Sequence, residues 1–322
     1  MIITKTPLRI SFAGGGTDLP VYYELRGGAV VSAAINKNIY ITVNKKFDKT
    51  IRVSYSKTEN VNCVNDLQHE IVRECLKMVG ISSGIEITSI ADIPSGTGLG
   101  SSSSFTVGLL NALYNYVGST LSAQELAESA CEIEIGRLGN PIGKQDQFAA
   151  AFGGQNLFEF GKNGSVKHRK ILIGDDDIRS MNRKLILFYT GITRNANVIL
   201  KEQQKKSRNK LDTLDFMKDQ AYQMYQVLSD EGFNEKFGLM LHEGWMKKKS
   251  IVSSISNGEI NKIYESALEA GALGGKLLGA GGGGFFLFYC DEEKQSALRN
   301  AVGLKEVNFS FSRYGSRVVY LE

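Results

Sequence analysis

Residues 94–104 carry the residue types and spacing best suited to chemistry in this chain, because three glycines alternate with small residues and four serines follow. Glycine lets a backbone approach an anion closely and adopt positive φ, while free N–H groups at a helix start favour negative charge. Residues 84–90 alternate like a strand, and residues 105–113 are apolar on nearly all sides, like a buried helix expected to begin near Ser104. Strand, glycine loop and serine-capped helix in this order predict a phosphate cradle. The alternative is a surface turn whose serines only cap the helix, since serine is a favourable N-cap residue.

Other glycine-rich stretches imitate nucleotide-binding motifs without their context. Residues 279–284 fit G-x-G-x-x-G, but this fingerprint requires a strand before it and a helix after it. The sequence predicts the reverse, a helix over 260–272 and a strand over 285–290. Residues 139–144 and 271–276 resemble a P-loop, yet each has one residue too few between its glycines and no Ser or Thr after its Lys. A nicotinamide-dependent oxidoreductase is therefore disfavoured.

The composition bounds the class of protein. The 322 residues are 42% hydrophobic and 22% charged, as in a globular chain with a sizeable core. A net charge of +4 suits small anionic substrates and is too weak to indicate nucleic-acid binding. Four scattered cysteines and three distant histidines predict neither a disulfide framework nor a zinc cluster. With no signal-peptide pattern and no apolar run as long as a membrane span, we expect a soluble, cytoplasmic protein.

The elements that would position these loops are mixed irregularly. Strand-like residues 2–13 lead into a first glycine-rich loop, and a capping box at Ser122 opens a helix further along. Residues 195–230 are charged and helical in pattern, whereas 175–177 are predicted to form an exposed loop. Without regular βαβ alternation, the pattern predicts the α+β class, with a domain boundary near 155–175.

Three motifs in a fixed order carry a family resemblance. Residues 7–18 read Pro-Leu-Arg-Ile-Ser-Phe-Ala-Gly-Gly-Gly-Thr-Asp, residues 94–104 contain Pro-x-Gly-x-Gly-Leu-Gly-Ser-Ser, and residues 278–285 read Leu-Gly-Ala-Gly-Gly-Gly-Gly-Phe. In these the chain resembles the GHMP small-molecule kinases, which carry the same three motifs in the same order. Residues 14–20 and 143–147 are most similar to the branch of the family that acts on D-glycero-D-manno-heptose 7-phosphate.

The resemblance implies a two-domain α+β fold of the GHMP kinase type. Residues 1–165 would form an N-terminal domain like domain 2 of ribosomal protein S5, carrying the ATP-binding glycine/serine loop. Residues 166–322 would form a ferredoxin-like C-terminal domain, with ATP and substrate between the two. The implied cofactors are ATP and Mg²⁺. The expected partners are a small sugar-phosphate substrate and, as an option, a second copy of the chain in a homodimer, with no nucleic acid and no membrane.

The resemblance also implies a metal site. Ser102 matches the family's magnesium-binding serine, and Glu134 matches its carboxylate partner, twelve residues before Asp146 as in galactokinases. A hydroxyl and a carboxylate suit magnesium, which prefers oxygen ligands. Without the family, Glu132 and Glu134 would both be ordinary acids on a helix surface.

Two charged residues match the family's catalytic positions. Asp146 matches the acidic residue beside the acceptor hydroxyl, where a carboxylate either accepts the hydroxyl proton or orients it. The alternative is an aspartate that caps a helix after Gly143. Arg9 matches the cation that lowers the pKa of the nucleophile and steadies the transferring phosphoryl group. Thr17 and Asp18 match positions that hold sugar hydroxyls.

One departure from the family pattern bears on the substrate. Galactokinases carry an acid and a basic residue where this chain has Gly15 and Gly16, which leaves more room around the sugar and argues against galactose. A larger or already phosphorylated sugar would fit that space. Lys144, Arg26 and Arg194 are candidate partners for its second phosphate.

The sequence thus predicts a full candidate site. The catalytic residues are Asp146 and Arg9, and the metal ligands are Ser102 and Glu134. The nucleotide-binding candidates are Pro94, Gly96, Gly98, Leu99, Gly100, Ser101, Ser102 and Ser103. The substrate-binding candidates are Gly15, Gly16, Thr17, Asp18, Gly143, Lys144, Gly281 and Gly282. The predicted activity is transfer of the γ-phosphoryl group of ATP to the anomeric hydroxyl of a sugar phosphate, foremost D-glycero-D-manno-heptose 7-phosphate. The alternatives are a kinase for a free hexose or another small alcohol, and a non-catalytic regulator that binds sugar and ATP.

Overall fold

The chain folds into two β-sheets covered by helices, and the computed structural model describes residues 1–192 and 196–322. The strands are β1 (Ile2–Ala13), β2 (Gly28–Lys45), β3 (Ile51–Ser54), β4 (Thr58–Val61), β5 (Ile85–Ala91), β6 (Gln155–Phe160), β7 (Val166–Lys170), β8 (Leu185–Tyr189), β9 (Gly274–Leu277), β10 (Phe285–Tyr289), β11 (Lys305–Glu306) and β12 (Arg317–Leu321). The α-helices are α1 (Pro20–Arg26), α2 (Glu70–Val79), α3 (Ser101–Tyr116), α4 (Ala123–Cys131), α5 (Gln145–Phe152), α6 (Asp175–Lys184), α7 (Ala196–Ser207), α8 (Leu211–Gln226), α9 (Glu235–Lys249), α10 (Gly258–Glu269) and α11 (Gln295–Val302). Two π-helical segments span Glu132–Arg137 and Val227–Glu231. None of the helices in the described residues is long and apolar enough to cross a bilayer.

The first sheet is built around the long strand β2, and its order is β12-β1-β2-β5-β3-β4. The beginning of β2 pairs with β6, and its end pairs with β5, so the sheet branches at this strand and also takes in β7. Helix α3 packs against β1 and β2. Most of its residues are buried, as the apolar pattern of residues 105–113 predicts.

The second sheet has the order β11-β8-β10-β9, with every neighbouring pair antiparallel. Helices separate β8 from β9 and β10 from β11, so the topology is the βαββαβ arrangement of ferredoxin-like folds. The predicted α+β class is therefore confirmed. The division into 1–165 and 166–322 stays a prediction. By strand pairing, β7 and β12 lie in the first sheet, although both come after residue 165.

Helix α3 begins at Ser101, three residues before the predicted start, and the expected serine cap is wrong. Its N-cap residue is Gly100 in the left-handed conformation with φ of +77°, and no side chain caps the helix. The serine side chains bond elsewhere, since the Ser104 hydroxyl donates to the carbonyl of Pro7 at 2.8 Å. The first-turn N–H groups of α3 are thus not occupied by a capping side chain.

Two further predictions of local structure need correction. The acidic residues 175–177 form the first turn of α6 rather than a loop, because negative side chains stabilise a helix N-terminus. Residues 279–284 are preceded directly by strand β9 rather than by a helix, so this glycine-rich stretch joins two antiparallel strands. A strand also follows it, and the dinucleotide fingerprint still lacks its helix. The capping box at Ser122 is confirmed, with reciprocal hydrogen bonds between Ser122 and Glu125.

Candidate active site

A cavity of about 400 Å³ lies where the three glycine-rich segments meet. The second and third segments touch through their backbones, because a Cβ built on Gly98 would lie 2.6 Å from the carbonyl oxygen of Leu278. A Cβ on Gly279 would lie 2.5 Å from Cα of Gly98. The first segment is tied in by the amide of Arg9, which donates to the carbonyl of Leu99 at 3.0 Å. Segments that are distant in sequence therefore form one site.

The wall formed by the start of α3 is suited to an anion. Gly96, Gly98 and Gly100 have φ of +77°, +87° and +77°, conformations that side chains with a Cβ rarely adopt. The cavity is lined here by Gly96, Gly98, Gly100, Ser101, Ser102 and Ser103. The buried hydroxyl of Ser101 has no hydrogen-bond partner among the described residues. Free N–H groups and an unpartnered hydroxyl at a helix start fit phosphate oxygens.

Two of the nucleotide-binding candidates do not line the cavity. Pro94 is exposed, and its carbonyl accepts a hydrogen bond from the Thr97 hydroxyl at 3.0 Å. Leu99 is fully buried in the hydrophobic core. Both residues shape the loop rather than face its contents.

Glu134 and Ser102 meet at the same wall. The Ser102 hydroxyl donates to Oε1 of Glu134 at 2.6 Å, and Nε2 of Gln147 donates to Oε2 at 2.7 Å. Burial raises the pKa of the Glu134 carboxyl, and the hydrogen bonds from Ser102, Ser103 and Gln147 act in the opposite direction. Glu134 is completely buried, whereas the side chain of Glu132 is 56% exposed. One carboxylate and one hydroxyl are oxygen ligands of the kind that Mg²⁺ takes, with ligand phosphates and water completing its shell.

Asp146 and Arg9 form a bidentate ion pair in the cavity. Nε of Arg9 donates to Oδ1 of Asp146 at 2.8 Å and Nη2 donates to Oδ2 at 2.7 Å, while Nη1 donates to the carbonyl of Gly98 at 2.7 Å. The Arg9 side chain is 4% exposed and the Asp146 side chain 24%. A Cβ on Gly100 would lie 3.3 Å from Asp146 Oδ2, so the pair adjoins the glycine-rich loop before α3. The N-cap residue of α5 is Lys144, so Asp146 does not take the capping position of the alternative interpretation.

Asp18 also lines the cavity. Its carboxylate accepts hydrogen bonds from the amides of Gly16 at 2.9 Å and Gln145 at 3.3 Å. Burial raises the pKa of the Asp18 carboxyl, and the negative charge of Asp146 raises it further. A Cβ on Gly143 would lie 1.9 Å from Asp18 Oδ2, so only glycine fits against this carboxylate. The first glycine-rich segment and residues 143–147 therefore interlock here.

The surroundings of Gly15 and Gly16 differ from the expectation of open space. A Cβ on Gly16 would lie 2.5 Å from Nε2 of Gln203, a buried residue of α7 that fills this volume and lines the cavity. The space beside Gly15 is open, with the Ser11 hydroxyl 3.8 Å from a built Cβ. Ser11 Oγ and Gln145 Oε1 are buried without hydrogen-bond partners among the described residues. Polar atoms left unpaired beside open space fit the hydroxyls of a sugar.

Three substrate-binding candidates make structural contacts away from the cavity. Thr17 is buried, and its hydroxyl lies 2.8 Å and 2.9 Å from the carbonyls of Gly14 and Ala29. Nζ of Lys144 donates to the carbonyl of Gly164 at 2.6 Å and lines a different cavity. The amide of Gly282 donates to a carbonyl at 2.8 Å and faces away, whereas Gly281 lines the cavity.

Of the remaining cations suggested for a second phosphate, Arg26 lies outside the cavity and pairs with Asp215 at 2.6 Å. Arg194 lies outside the described residues. Sequence reasoning missed two buried lysines that do line the cavity, Lys248 and Lys276. Lys248 belongs to a run of three lysines that looks like a solvated helix end, and Lys276 follows glycines that imitate a P-loop.

The glycine-rich start of α3 and the paired Arg9 and Asp146 share one cavity, an arrangement typical of a phosphotransferase. The family model for the GHMP kinases N terminal domain matches residues 65–154, and the GHMP kinases C terminal model matches residues 226–307. The chain belongs to the GHMP kinase family, whose members use ATP as phosphate donor.

Individual relatives cover nearly the whole chain. Over 340 residues the chain is 34% identical to the D-glycero-alpha-D-manno-heptose 7-phosphate kinase of Campylobacter jejuni, covering 98% of this chain and 97% of that protein. The crystal structure of a D-glycero-D-manno-heptose 1-phosphate kinase from Bacteroides thetaiotaomicron matches with a TM-score of 0.84 at 24% identity, over 100% of both chains. Lactococcus lactis galactokinase complexed with galactose matches with a TM-score of 0.77 at 21% identity, over 99% of this chain and 95% of that one. The two structural likenesses show the fold, and the prediction of an ATP-dependent kinase is confirmed.

Proposed function

We propose that the protein transfers the γ-phosphoryl group of ATP to the anomeric hydroxyl of a sugar phosphate, with D-glycero-D-manno-heptose 7-phosphate as its preferred acceptor. The observation that carries this proposal is the position of the Arg9–Asp146 pair, which bonds the glycine loop at Gly98 and shares one cavity with Asp18. The identity of the acceptor is supported by the similarity to the Campylobacter jejuni kinase over the full chain.

The nucleotide phosphates belong at the start of α3. Backbone N–H groups of the loop and the free hydroxyl of Ser101 would bind their oxygens. Ser102 and Glu134 would hold Mg²⁺, which would neutralise part of the negative charge on the nucleotide phosphates. This division leaves the rest of the cavity to the acceptor.

Asp146 would hold the acceptor hydroxyl in line with the γ-phosphate. Its carboxylate is fixed by two hydrogen bonds from Arg9, whose third nitrogen contact reaches the phosphate-binding loop at Gly98. Phosphoryl transfer through a loose transition state demands positioning and charge stabilisation more than a strong base. A rigid carboxylate beside a buried guanidinium supplies both. Asp18, Ser11 and Gln145 would hold the other hydroxyls of the sugar.

The test is a coupled ADP-release assay of the purified chain with ATP and Mg²⁺ across phosphorylated and free sugars. We expect the highest kcat/KM with heptose 7-phosphate and a 1,7-bisphosphate product by phosphorus NMR. Asp146→Asn is expected to lower kcat by about 10²–10⁴-fold with little change in ATP binding, while Asp176→Asn, whose side chain is 95% exposed, serves as control. If a free hexose is the best acceptor, the proposed sugar-phosphate acceptor is wrong. If no acceptor is turned over, the non-catalytic regulator is favoured.

A further inference from the structure

We propose that Lys248 and Lys276 form the binding site for the phosphate that the acceptor already carries, a phosphate monoester dianion remote from the reacting hydroxyl. The inference rests on the proposed function, because it assigns residues to one group of that acceptor. Both lysines line the active cavity from the side of the second sheet, Lys248 at the end of α9 and Lys276 on β9.

Both ammonium groups are buried, and within the described residues no carboxylate lies within ion-pair distance of either. Each lysine is only 6% exposed. Nζ of Lys276 donates to the carbonyl of Phe12 at 2.8 Å, and Nζ of Lys248 donates to the carbonyl of Gly279. Each therefore has a neutral carbonyl where buried lysines ordinarily have a carboxylate.

This arrangement is unfavourable until an anion binds. Burial lowers the pKa of both lysines, and repulsion from Arg9 lowers each pKa further. The pKa of Lys276 is also lowered by repulsion from Lys248. A buried charge is tolerated when it is paired, and removing the partner of a buried charge is strongly destabilising. A doubly charged phosphate between the two ammonium groups would supply the missing partner and bind tightly, since charge-assisted hydrogen bonds are the strong ones.

The phosphate in question belongs to the acceptor because the nucleotide has its own site. The triphosphate cradle is the start of α3, with Ser102 and Glu134 beside it. Arg9, the third cation lining the cavity within the described residues, is engaged by Asp146 on two nitrogens. Lys248 interacts electrostatically with Asp18 and Asp146, which places it at the acceptor end.

The competing cations are already bound elsewhere. Lys144 donates to the Gly164 carbonyl, and Arg26 pairs with Asp215 outside the cavity. Within the described part of the chain, Lys248 and Lys276 are therefore the cavity cations left for a second phosphate.

The experiment compares Lys248→Met and Lys276→Met with Lys247→Met, a matched control at an exposed position next to Lys248. We expect each buried-lysine variant to raise KM for heptose 7-phosphate at least tenfold, with KM for ATP within twofold of wild type. The control is expected to match wild type in both. Lys276→Gln keeps a donor for the Phe12 carbonyl, and thermal melting of every variant establishes that it folds.

The possible outcomes distinguish failure of this inference from failure of the proposed function. If wild type acts on heptose 7-phosphate and the buried-lysine variants have the same KM for it as wild type, the lysines do not bind that phosphate. In that case this inference is overturned and the proposed function stands. A rise in KM for ATP instead would assign the lysines to the triphosphate and also overturn this inference. If wild type turns over only unphosphorylated sugars, the proposed acceptor is wrong and the inference is overturned with it.

Discussion

Three carboxylates of the described residues line the cavity, and each has different hydrogen-bond donors. Asp146 is held by a guanidinium, Asp18 by two backbone amides, and Glu134 by a serine hydroxyl and a glutamine amide. A carboxylate bound to an arginine on both oxygens is rigid and poorly placed to take a metal as well. Asp18 and Glu134 are both held by neutral donors, and Glu134 is the one that bonds Ser102 at the start of α3, which supports its proposed role as a metal ligand. The surroundings of each acid thus support the roles proposed for them.

The metal assignment is tested by Glu134→Gln, which keeps the shape of the side chain and removes its charge. We expect the Mg²⁺ concentration for half-maximal activity to rise at least tenfold, because a neutral amide is a weaker ligand for a hard cation. Glu132→Gln, two residues earlier on the same π-helical segment and 56% exposed, is the matched control. It is expected to leave the Mg²⁺ titration unchanged. Equal Mg²⁺ dependence in Glu134→Gln and wild type would remove Glu134 from the metal site.

Sequence alone predicts the residues that belong to a recognisable motif, even where their partner is distant in the chain. Asp146 and Arg9 are 137 residues apart, yet both belong to recognisable motifs, and the structure pairs them. Lys248 and Lys276 carry no such signal, because a lysine is ordinarily exposed and its burial depends on tertiary packing. Gln203 fills the space beside Gly16 for the same kind of reason, since only the fold brings α7 to that loop.

At the scale of elements, the phosphate-binding loop depends on close contact with the hairpin that joins β9 and β10. Gly98→Ala would introduce both a strained backbone, at φ of +87°, and a Cβ 2.6 Å from the Leu278 carbonyl. Gly96→Ala has similar strain, at φ of +77°, with open space around its Cβ. The pair of variants therefore separates the cost of backbone strain from the cost of displacing the hairpin.

We expect Gly96→Ala to lower the free energy of unfolding by about 1–2 kcal/mol, the cost of a side chain in the left-handed region. Gly98→Ala is expected to lose more, by roughly 1–3 kcal/mol for the steric overlap, and to raise KM for ATP as the two loops move apart. Urea denaturation and ADP-release kinetics measure the two effects. Equal stability and equal KM for ATP in the two variants would show that the contact between the loops does not shape the nucleotide site.

The elements themselves were predictable where a local signal dominates. The capping box at Ser122 and the apolar pattern of α3 are of this kind. The start of α3 was misplaced because Gly100 takes the N-cap position that a serine usually holds, and this depends on packing of Gly98 against the third loop. Strand β9 has no clear signal in the sequence, because it contains two glycines and glycine disfavours strands. Pairing with β10 is what makes this segment a strand.

At the scale of the whole molecule, the cavity joins the two sheets. The C-terminal strand β12 returns to the edge of β1, and Lys276 on β9 reaches across to the Phe12 carbonyl on β1. The cavity proposed for the ligands therefore includes buried charges that the folded protein holds at some cost. That cost is measurable as a pH dependence of global stability.

Burial lowers the pKa of Lys248 from its ordinary 10.5 to about 8, with repulsion from Arg9 adding to the shift and attraction from Asp18 and Asp146 opposing it. Between these two pH values the unfolded chain binds more protons at this residue than the folded one, so its contribution to stability rises with pH. The destabilisation is largest well below pH 8 and is lost above pH 10.5, and in full it amounts to about 3–4 kcal/mol.

The difference in unfolding free energy between Lys248→Met and wild type cancels the titration of buried thiols and tyrosines, which both proteins share, and leaves that of Lys248 with its coupling to Lys276. We expect the variant's advantage over wild type to shrink by about 2–3 kcal/mol as the pH rises from 8 to 10.5. Urea denaturation at several pH values in this range, without ligand, gives the difference directly. Acceptor phosphate should stabilise wild type most below pH 8, where the ammonium is fully protonated. A difference that stays constant with pH would mean that Lys248 titrates in the folded protein as it does in the unfolded chain.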